Sequence, residues 1–374
     1  MPASAPPAAG RSTVELVIDD ARFPAVWLRD NCPCPLCAIP GSGQKLFGIT
    51  DLPADPRIES VSEDDASVTV SFAPDGHVSR FPRAWLRRHR PGAAPAPDDR
   101  TEDAKRLWQA SDLAGKPPSA TWKAFAEDPA ELARCLEALL VDGFVLLRGV
   151  PVRDRAVLSV AEVFGYVRET NYGTLFEVRV EENPANLAFS SLPITPHTDN
   201  PYRDPVPTIQ LLHCLTNAAR GGDSGLVDGF HAAATLRSVD PDAFALLTRT
   251  PVTFRYRDTD AEIAATNPLI GLDAAGRIKQ IRFNNRSMRP VALPAEEIPA
   301  FYAAYRAFAE LLYRPEAQFN FRLEPGDCVV FDNTRTLHAR TGFLANGRRH
   351  LQGCYADLDS AASMLHVLRR KDAS

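Results

Sequence analysis

His197 and Asp199, two positions apart in LPITPHTDNPYRD (192–204), bring an imidazole and a carboxylate together among prolines and polar residues that suit neither a helix nor a long strand. With 8 histidines in the chain, the pair alone says little. Its meaning comes from VVFDNTRTLHARTGF, where His338 follows a strand-like run and a turn, and from Arg349 further on in GRRHLQGCY. Two histidines and one carboxylate on one face of a metal are the ligand set of non-haem iron(II) oxygenases, which keep open positions for a cosubstrate and O2. An arginine downstream can form a paired hydrogen bond with a carboxylate of 2-oxoglutarate, which the point charge of a lysine does less well. The apolar strands around the second histidine suit a site that keeps water away from reactive iron chemistry.

A second cluster asks for a different metal. NCPCPLC places Cys32, Cys34 and Cys37 in a C-x-C-x2-C run whose prolines stiffen the backbone so that three sulfurs can converge. Zinc takes four tetrahedral ligands, and the fourth is expected from His77 in PDGHVSR, with His89 as second choice. With every position filled by protein such a zinc is structural. Cys135, Cys214, Cys328 and Cys354 sit singly in helix or strand patterns and read as core residues. Seven cysteines in 374 residues, an odd number, do not make a secreted disulfide framework, so a cytoplasmic protein is expected.

These residues need elements to hold them. From about 13 to 90, short β-like runs (TVELVID, FPAVWLRDN, SVTVSF, HVSRF) are broken by turn residues. RPGAAPAPDDR (90–100) has the composition of a linker. The expected organisation is a small zinc-binding β domain over 1–95, a linker over 96–120 and a large domain over 121–374. In the large domain, PAELARCLEALLVDG reads as a helix ending at Gly143, FVLLRGV as a buried strand, DRAVLSVAEVFG as a helix closed by Gly165, and TIQLLHCL as a strand. PAEEIPAFYAAYRAFAELLYR (294–314) has the strongest helical pattern, and NFRLEPGDCVVFDN suggests a hairpin about Pro325-Gly326-Asp327. Strands with a few long helices, without regular βαβ alternation, predict a mainly β fold: a sandwich or jelly roll braced by helices. A formal net charge of −5 and the lack of any run of lysines and arginines argue against a nucleic-acid partner. No apolar run is long enough to span a membrane, and the N-terminus lacks the pattern of a signal peptide.

Taken together, NYGTLFEV, NPANLAFSS, HTDNPY, IQLLHCL, GGDSGLVDGF, IRFNNR, PGDCVVFDNTRTLHAR and GRRHLQGCYAD make residues from about 120 to 370 resemble the Fe(II)/2-oxoglutarate dioxygenases of the taurine dioxygenase superfamily. The resemblance is strongest to the branch that hydroxylates γ-butyrobetaine at C3 to L-carnitine, and the cysteine cluster resembles that branch's small zinc domain. It implies a double-stranded β-helix, Fe(II), 2-oxoglutarate and O2 as reactants, a structural zinc, ascorbate as reductant and a homodimer. It implies His197, Asp199 and His338 as iron ligands, Arg349 on the distal carboxylate of 2-oxoglutarate and Leu212 lining that pocket. Tyr172, Phe176, Phe189 and Tyr355 match an aromatic cage for a quaternary ammonium, and Asn186 and Asn284 match the substrate-carboxylate contacts. Phe176 and Phe189 stand where members often carry Trp and Tyr, which have the better cation–π faces. Strand parity puts Tyr172 with Phe176, and Arg349 with Tyr355, on common faces, and requires a bend between Asn186 and Phe189. Hydroxylation of another quaternary amine such as trimethyllysine is the alternative function, and a non-catalytic zinc adaptor the remote one. The remaining histidines, His213, His231, His350 and His366, are expected to stay away from iron.

Overall fold

Alternation within strands builds the larger of two units, residues 100–374, the smaller being 1–99. The computed structural model describes residues 12–92, 104–179, 191–344 and 347–372. In strand Phe144–Arg148, Val145 and Leu147 join a core shared with helices Pro129–Asp142 and Leu358–Asp372. Phe144 and Leu146, on the opposite face, join a second core with Val329, Phe331 and Leu226. A strand buried on both faces reads as an unbroken apolar run, which is how FVLLRGV is written.

The larger unit is a double-stranded β-helix. Its wide sheet has six strands in the order Ser119–Thr121, Phe144–Arg148, Cys328–Asp332, Ile209–Asn217, Arg349–Ala356, Phe176–Arg179, and the narrow sheet has four: Gln318–Phe321, Ser224–Asp228, Thr336–Arg340, Ile194–His197. Consecutive strands alternate between the sheets, as Cys328–Asp332, Thr336–Arg340 and Arg349–Ala356 do. The hairpin expected about Pro325-Gly326-Asp327 is therefore not formed. Gln318–Phe321 pairs with Ser224–Asp228 in one sheet, and Cys328–Asp332 pairs with Ile209–Asn217 and Phe144–Arg148 in the other. The turn carries the chain between layers because both runs have apolar partners there and none in each other.

The predicted helices form, with ends set by local chemistry. Pro129–Asp142 is capped by Asp128, whose Oδ1 accepts from the Ala130 amide at 2.9 Å, and ends at Gly143 with φ +88°. The pattern over 294–314 becomes helix Ile298–Tyr313, which buries Phe301, Phe308 and Leu312 against helices Gly229–Val239 and Pro241–Arg249. The linker expected over 96–120 is corrected from Lys105 onward. Trp108 is buried, donating its indole N–H to the Asp142 carbonyl at 2.6 Å, and Ser119–Thr121 pairs parallel to Phe144–Arg148. A large aromatic with a satisfied polar handle docks a segment whose composition alone looks like a spacer.

The smaller unit holds a two-stranded sheet, Glu15–Ile18 with Ala21–Pro24, and a three-stranded one, Arg57–Glu63, Ser67–Ala73 and Val78–Pro82. Their core is Leu16, Phe23, Leu28, Val68, Val70, Phe72 and Phe81. FPAVWLRDN, expected as one β-like run, divides after Pro24 into helix Ala25–Asp30, because Ala25 and Leu28 lie one helical turn apart and both are buried.

Candidate active site

The metal-ligand candidates come from the narrow sheet. His338 of strand Thr336–Arg340 lies directly across from His197, the last residue of strand Ile194–His197, and this cross-strand pairing sets their rings 4.1 Å apart. His197 Nε2 is 3.4 Å from one carboxylate oxygen of Asp199, and His338 Nε2 is 3.9 Å from the other. Asp199 stands in the loop just past the strand, where a side chain can turn back toward both rings. Asn333 clamps that loop: its Oδ1 accepts from the Asp199 amide at 2.8 Å and its Nδ2 donates to the Asp199 carbonyl at 3.0 Å. Because Asn333 precedes the His338 strand, the clamp ties both ligand-bearing segments together.

The donor set fits a divalent iron. The His197 Nδ1 proton goes to the Thr195 carbonyl at 3.0 Å, which leaves the Nε2 lone pair facing Asp199. Burial first, then repulsion by His197, pushes the His338 imidazole down to about 3, so it is a neutral ligand at physiological pH. Burial opposes charge on Asp199, but the facing imidazoles of His338 and His197 and the Tyr355 hydroxyl hold its carboxyl below the usual range. Gln210 Nε2 and Tyr355 OH donate to Asp199 Oδ2 at 2.9 and 3.1 Å, which fixes the carboxylate's orientation.

The triad opens into a cavity of about 590 Å³ between the sheets. Arg349, Leu212 and Tyr355 reach it from the wide sheet, and Tyr172, Phe176 and Asn284 line it as well. Arg349 and Tyr355 share the inward face of strand Arg349–Ala356, as parity requires. Tyr172 lies in a turn before strand Phe176–Arg179 and not in one extended segment with Phe176, yet both rings meet the cavity. Asn186 and Phe189 fall outside the described residues.

Arg349 suits a carboxylate cosubstrate. It is 7% exposed, its Nε has no partner among the described residues, and burial pulls its guanidinium only to about 10, leaving it charged at neutral pH. A buried donor without a partner is costly unless an anion completes it.

The cavity also holds aromatics that sequence reasoning missed. Tyr202 and Tyr256 stack at 5.2 Å, Tyr172 meets Tyr256 edge-on at 5.6 Å, and the Tyr172 and Tyr202 hydroxyls are 3.0 Å apart. Tyr202 lies three positions past Asp199, so its nearness was readable. Tyr256 comes from strand Val252–Arg257, with no local signal linking it to the site. Phe176 packs against Tyr355 at 5.0 Å, and this requires a glycine opposite. A Cβ on Gly353 would lie 2.3 Å from the Phe176 ring. Gly353→Ala is expected to push that ring into the cavity and raise KM for a substrate held against it about ten- to hundredfold; steady-state kinetics check this.

In the smaller unit, Cys32, Cys34 and Cys37 lie 3.2, 3.6 and 3.4 Å from His77 Nε2, and the four ligand atoms are within 4.8 Å of one another. Arg29 donates to Cys37 Sγ at 3.4 Å and to Asp75 at 2.8 Å, placing positive charge beside prospective thiolates. His89 stacks on Trp85 with ring centroids 4.4 Å apart and takes no part in the cluster.

A double-stranded β-helix carrying two histidines and a carboxylate in the lining of an inter-sheet cavity is the arrangement of a non-haem iron(II) oxygenase. Residues 107–355 match the taurine catabolism dioxygenase TauD, TfdA family, and residues 11–87 match the gamma-butyrobetaine hydroxylase-like N-terminal family. The chain is 38% identical over 351 residues to a gamma-butyrobetaine dioxygenase of Pseudomonas sp. (strain AK-1), covering 93% of this chain and 91% of that protein. It is 31% identical to the human gamma-butyrobetaine dioxygenase (94% of this chain, 92% of that one). It is 29% identical to the trimethyllysine dioxygenase of Meyerozyma guilliermondii (93% and 90%). The chain belongs to the TauD, TfdA family of iron- and 2-oxoglutarate-dependent dioxygenases.

Proposed function

We propose that the protein hydroxylates γ-butyrobetaine at C3 to give L-carnitine, with 2-oxoglutarate converted to succinate and CO2. The observation that carries this reading is the single cavity that combines the His197, Asp199 and His338 triad with the aromatic walls of Tyr172, Phe176 and Tyr355. Two relatives named gamma-butyrobetaine dioxygenase, each matching nearly full length, support it.

In this reading His197, Asp199 and His338 hold iron, and Arg349 pairs with the distal carboxylate of 2-oxoglutarate while Leu212 packs against its chain. Bound iron supplies activation of O2 coupled to decarboxylation of the cosubstrate, one oxygen atom passing to succinate and one to the amine. The residues of the chain position the reactants and exclude water. The aromatic rings take the trimethylammonium group through their negative faces, and Asn284, with Asn186 and Phe189 by resemblance, belongs to the substrate wall.

Zinc in the Cys32, Cys34, Cys37 and His77 cluster is part of the proposal, supported by the convergence of four ligand atoms and the charge of Arg29. Elemental analysis is expected to find about one zinc per chain, and Cys37→Ser to lose most of it and lower the melting temperature of the smaller unit. A reducing, cytoplasmic location is part of the proposal as well, supported by the four cysteines outside the cluster, which stand singly in the core. A homodimer rests on family resemblance.

The function is tested by incubating the protein with Fe(II), ascorbate, 2-oxoglutarate and a panel of quaternary amines, following succinate and hydroxylated products by mass. γ-Butyrobetaine is expected to stimulate succinate formation most. Preference for trimethyllysine would replace the substrate and keep the reaction type.

A further inference from the structure

Two carboxylate-bearing molecules enter the cavity in the proposed reaction, and the guanidinium groups that line it are unequally committed. Arg255 pairs with Glu262, and Arg257 lies 3.5 Å from the same carboxylate. Arg340 donates to the Leu192 carbonyl at 2.7 Å and covers the Phe343 ring. Two further guanidiniums lining the cavity, Arg349 and Arg286, make no ion pair or side-chain hydrogen bond among the described residues.

We propose that Arg286 receives the carboxylate of the amine substrate. Arg349 is enclosed in the wide sheet and suits the cosubstrate, whereas Arg286 lines the same cavity from the loop after strand Ile278–Ile281, two positions past Asn284. It lines the same cavity as Asp199 and His338, so an anion held there shares the space into which the metal-ligand candidates open. Asn284 is already engaged. Its Nδ2 donates to the Thr198 carbonyl at 3.1 Å and its Oδ1 accepts from the Arg286 amide at 3.2 Å. The asparagine thus shapes the loop that presents Arg286, and the guanidinium supplies the charge. A cation and aromatic faces lining one cavity select a zwitterion whose ammonium and carboxylate are separated by a short chain. The inference rests on the γ-butyrobetaine reading only for the identity of that chain.

The test uses full-length enzyme with Fe(II), ascorbate and 2-oxoglutarate, comparing wild type, Arg286→Gln and Arg286→Lys on γ-butyrobetaine and on its carboxamide, in which the carboxylate is replaced by a neutral amide. Wild type is expected to prefer the acid by about 10- to 100-fold in kcat/KM. Arg286→Gln should bring that preference to within about threefold through a raised KM for the acid, Arg286→Lys should restore part of it, and KM for 2-oxoglutarate should not move. Melting temperatures should match, since the side chain is exposed at the rim and unpaired. Unchanged preference in Arg286→Gln, or a rise in KM for 2-oxoglutarate instead, overturns the proposal. Should wild type ignore γ-butyrobetaine and oxidise another amino acid betaine, the substrate reading fails. The acid and amide of that compound then decide on Arg286 by the same criterion.

Discussion

Replacement of His197, Asp199 or His338 by alanine is expected to lower kcat/KM by on the order of a thousandfold or more, with the fold intact. Loss of an outer partner of a metal ligand typically costs about 10- to 100-fold, and loss of a ligand should exceed that. The three side chains act as one unit. The two imidazoles face each other across paired strands, and each approaches a different oxygen of the same carboxylate. Losses from double substitutions should therefore not add. The rest of the cradle survives any one change, since Asn333 holds the Asp199 loop through backbone groups. Kinetics, Fe(II) content and circular dichroism check this, and a single alanine variant keeping a tenth of wild-type activity would contradict the assignment.

The largest expected effect on stability lies away from the chemistry. Arg335 and Asp228 form a bidentate ion pair with both side chains fully enclosed, Nε to Oδ1 at 3.0 Å and Nη2 to Oδ2 at 2.8 Å. Asp228 also accepts from the backbone amides of Trp108 at 3.1 Å and Phe230 at 3.0 Å, and Arg335 donates to the Val141 carbonyl at 2.7 Å. The pair binds the helix that starts at Gly229, the segment before helix Pro129–Asp142 and the turn before the His338 strand. Arg335→Met leaves Asp228 charged and buried without its partner, at a cost of about 3 to 5 kcal/mol. For a unit of this size that is a fall in melting temperature of roughly 10 °C. Asp228→Asn combined with Arg335→Met should recover part of it, because the uncompensated charge is gone. Urea and thermal unfolding measure both variants.

Much of the site was legible from residue type and spacing, and what was not legible shares a physical cause. His197, Asp199 and His338 were named from type and spacing, and the fold brings them together at a cavity that Arg349 also lines. The cysteine cluster was readable from the same signals, while the choice between His77 and His89 needed the turn between two strands that sets His77 among the sulfurs. Tyr256 went unnoticed because it reaches the cavity from a segment distant in sequence, where an isolated tyrosine carries no functional mark, whereas Arg286 stands in IRFNNR two positions past Asn284 and was passed over. The false hairpin at Pro325-Gly326-Asp327 shows the same limit at the level of the fold. A turn signal states that the chain reverses, while the layer it enters next depends on apolar partners elsewhere. Trp108 corrected the linker in the same way, through one aromatic whose partners at Asp142 and Asp228 lie far along the chain.

The central claim, that this cavity couples decarboxylation of 2-oxoglutarate to hydroxylation of γ-butyrobetaine, is tested most directly by turnover under ¹⁸O2. One labelled oxygen is expected in the hydroxyl group of the product and one in succinate, in equal amounts and only when the amine is present. Succinate that forms at the same rate without γ-butyrobetaine, while the amine is recovered unlabelled and unchanged, would contradict it.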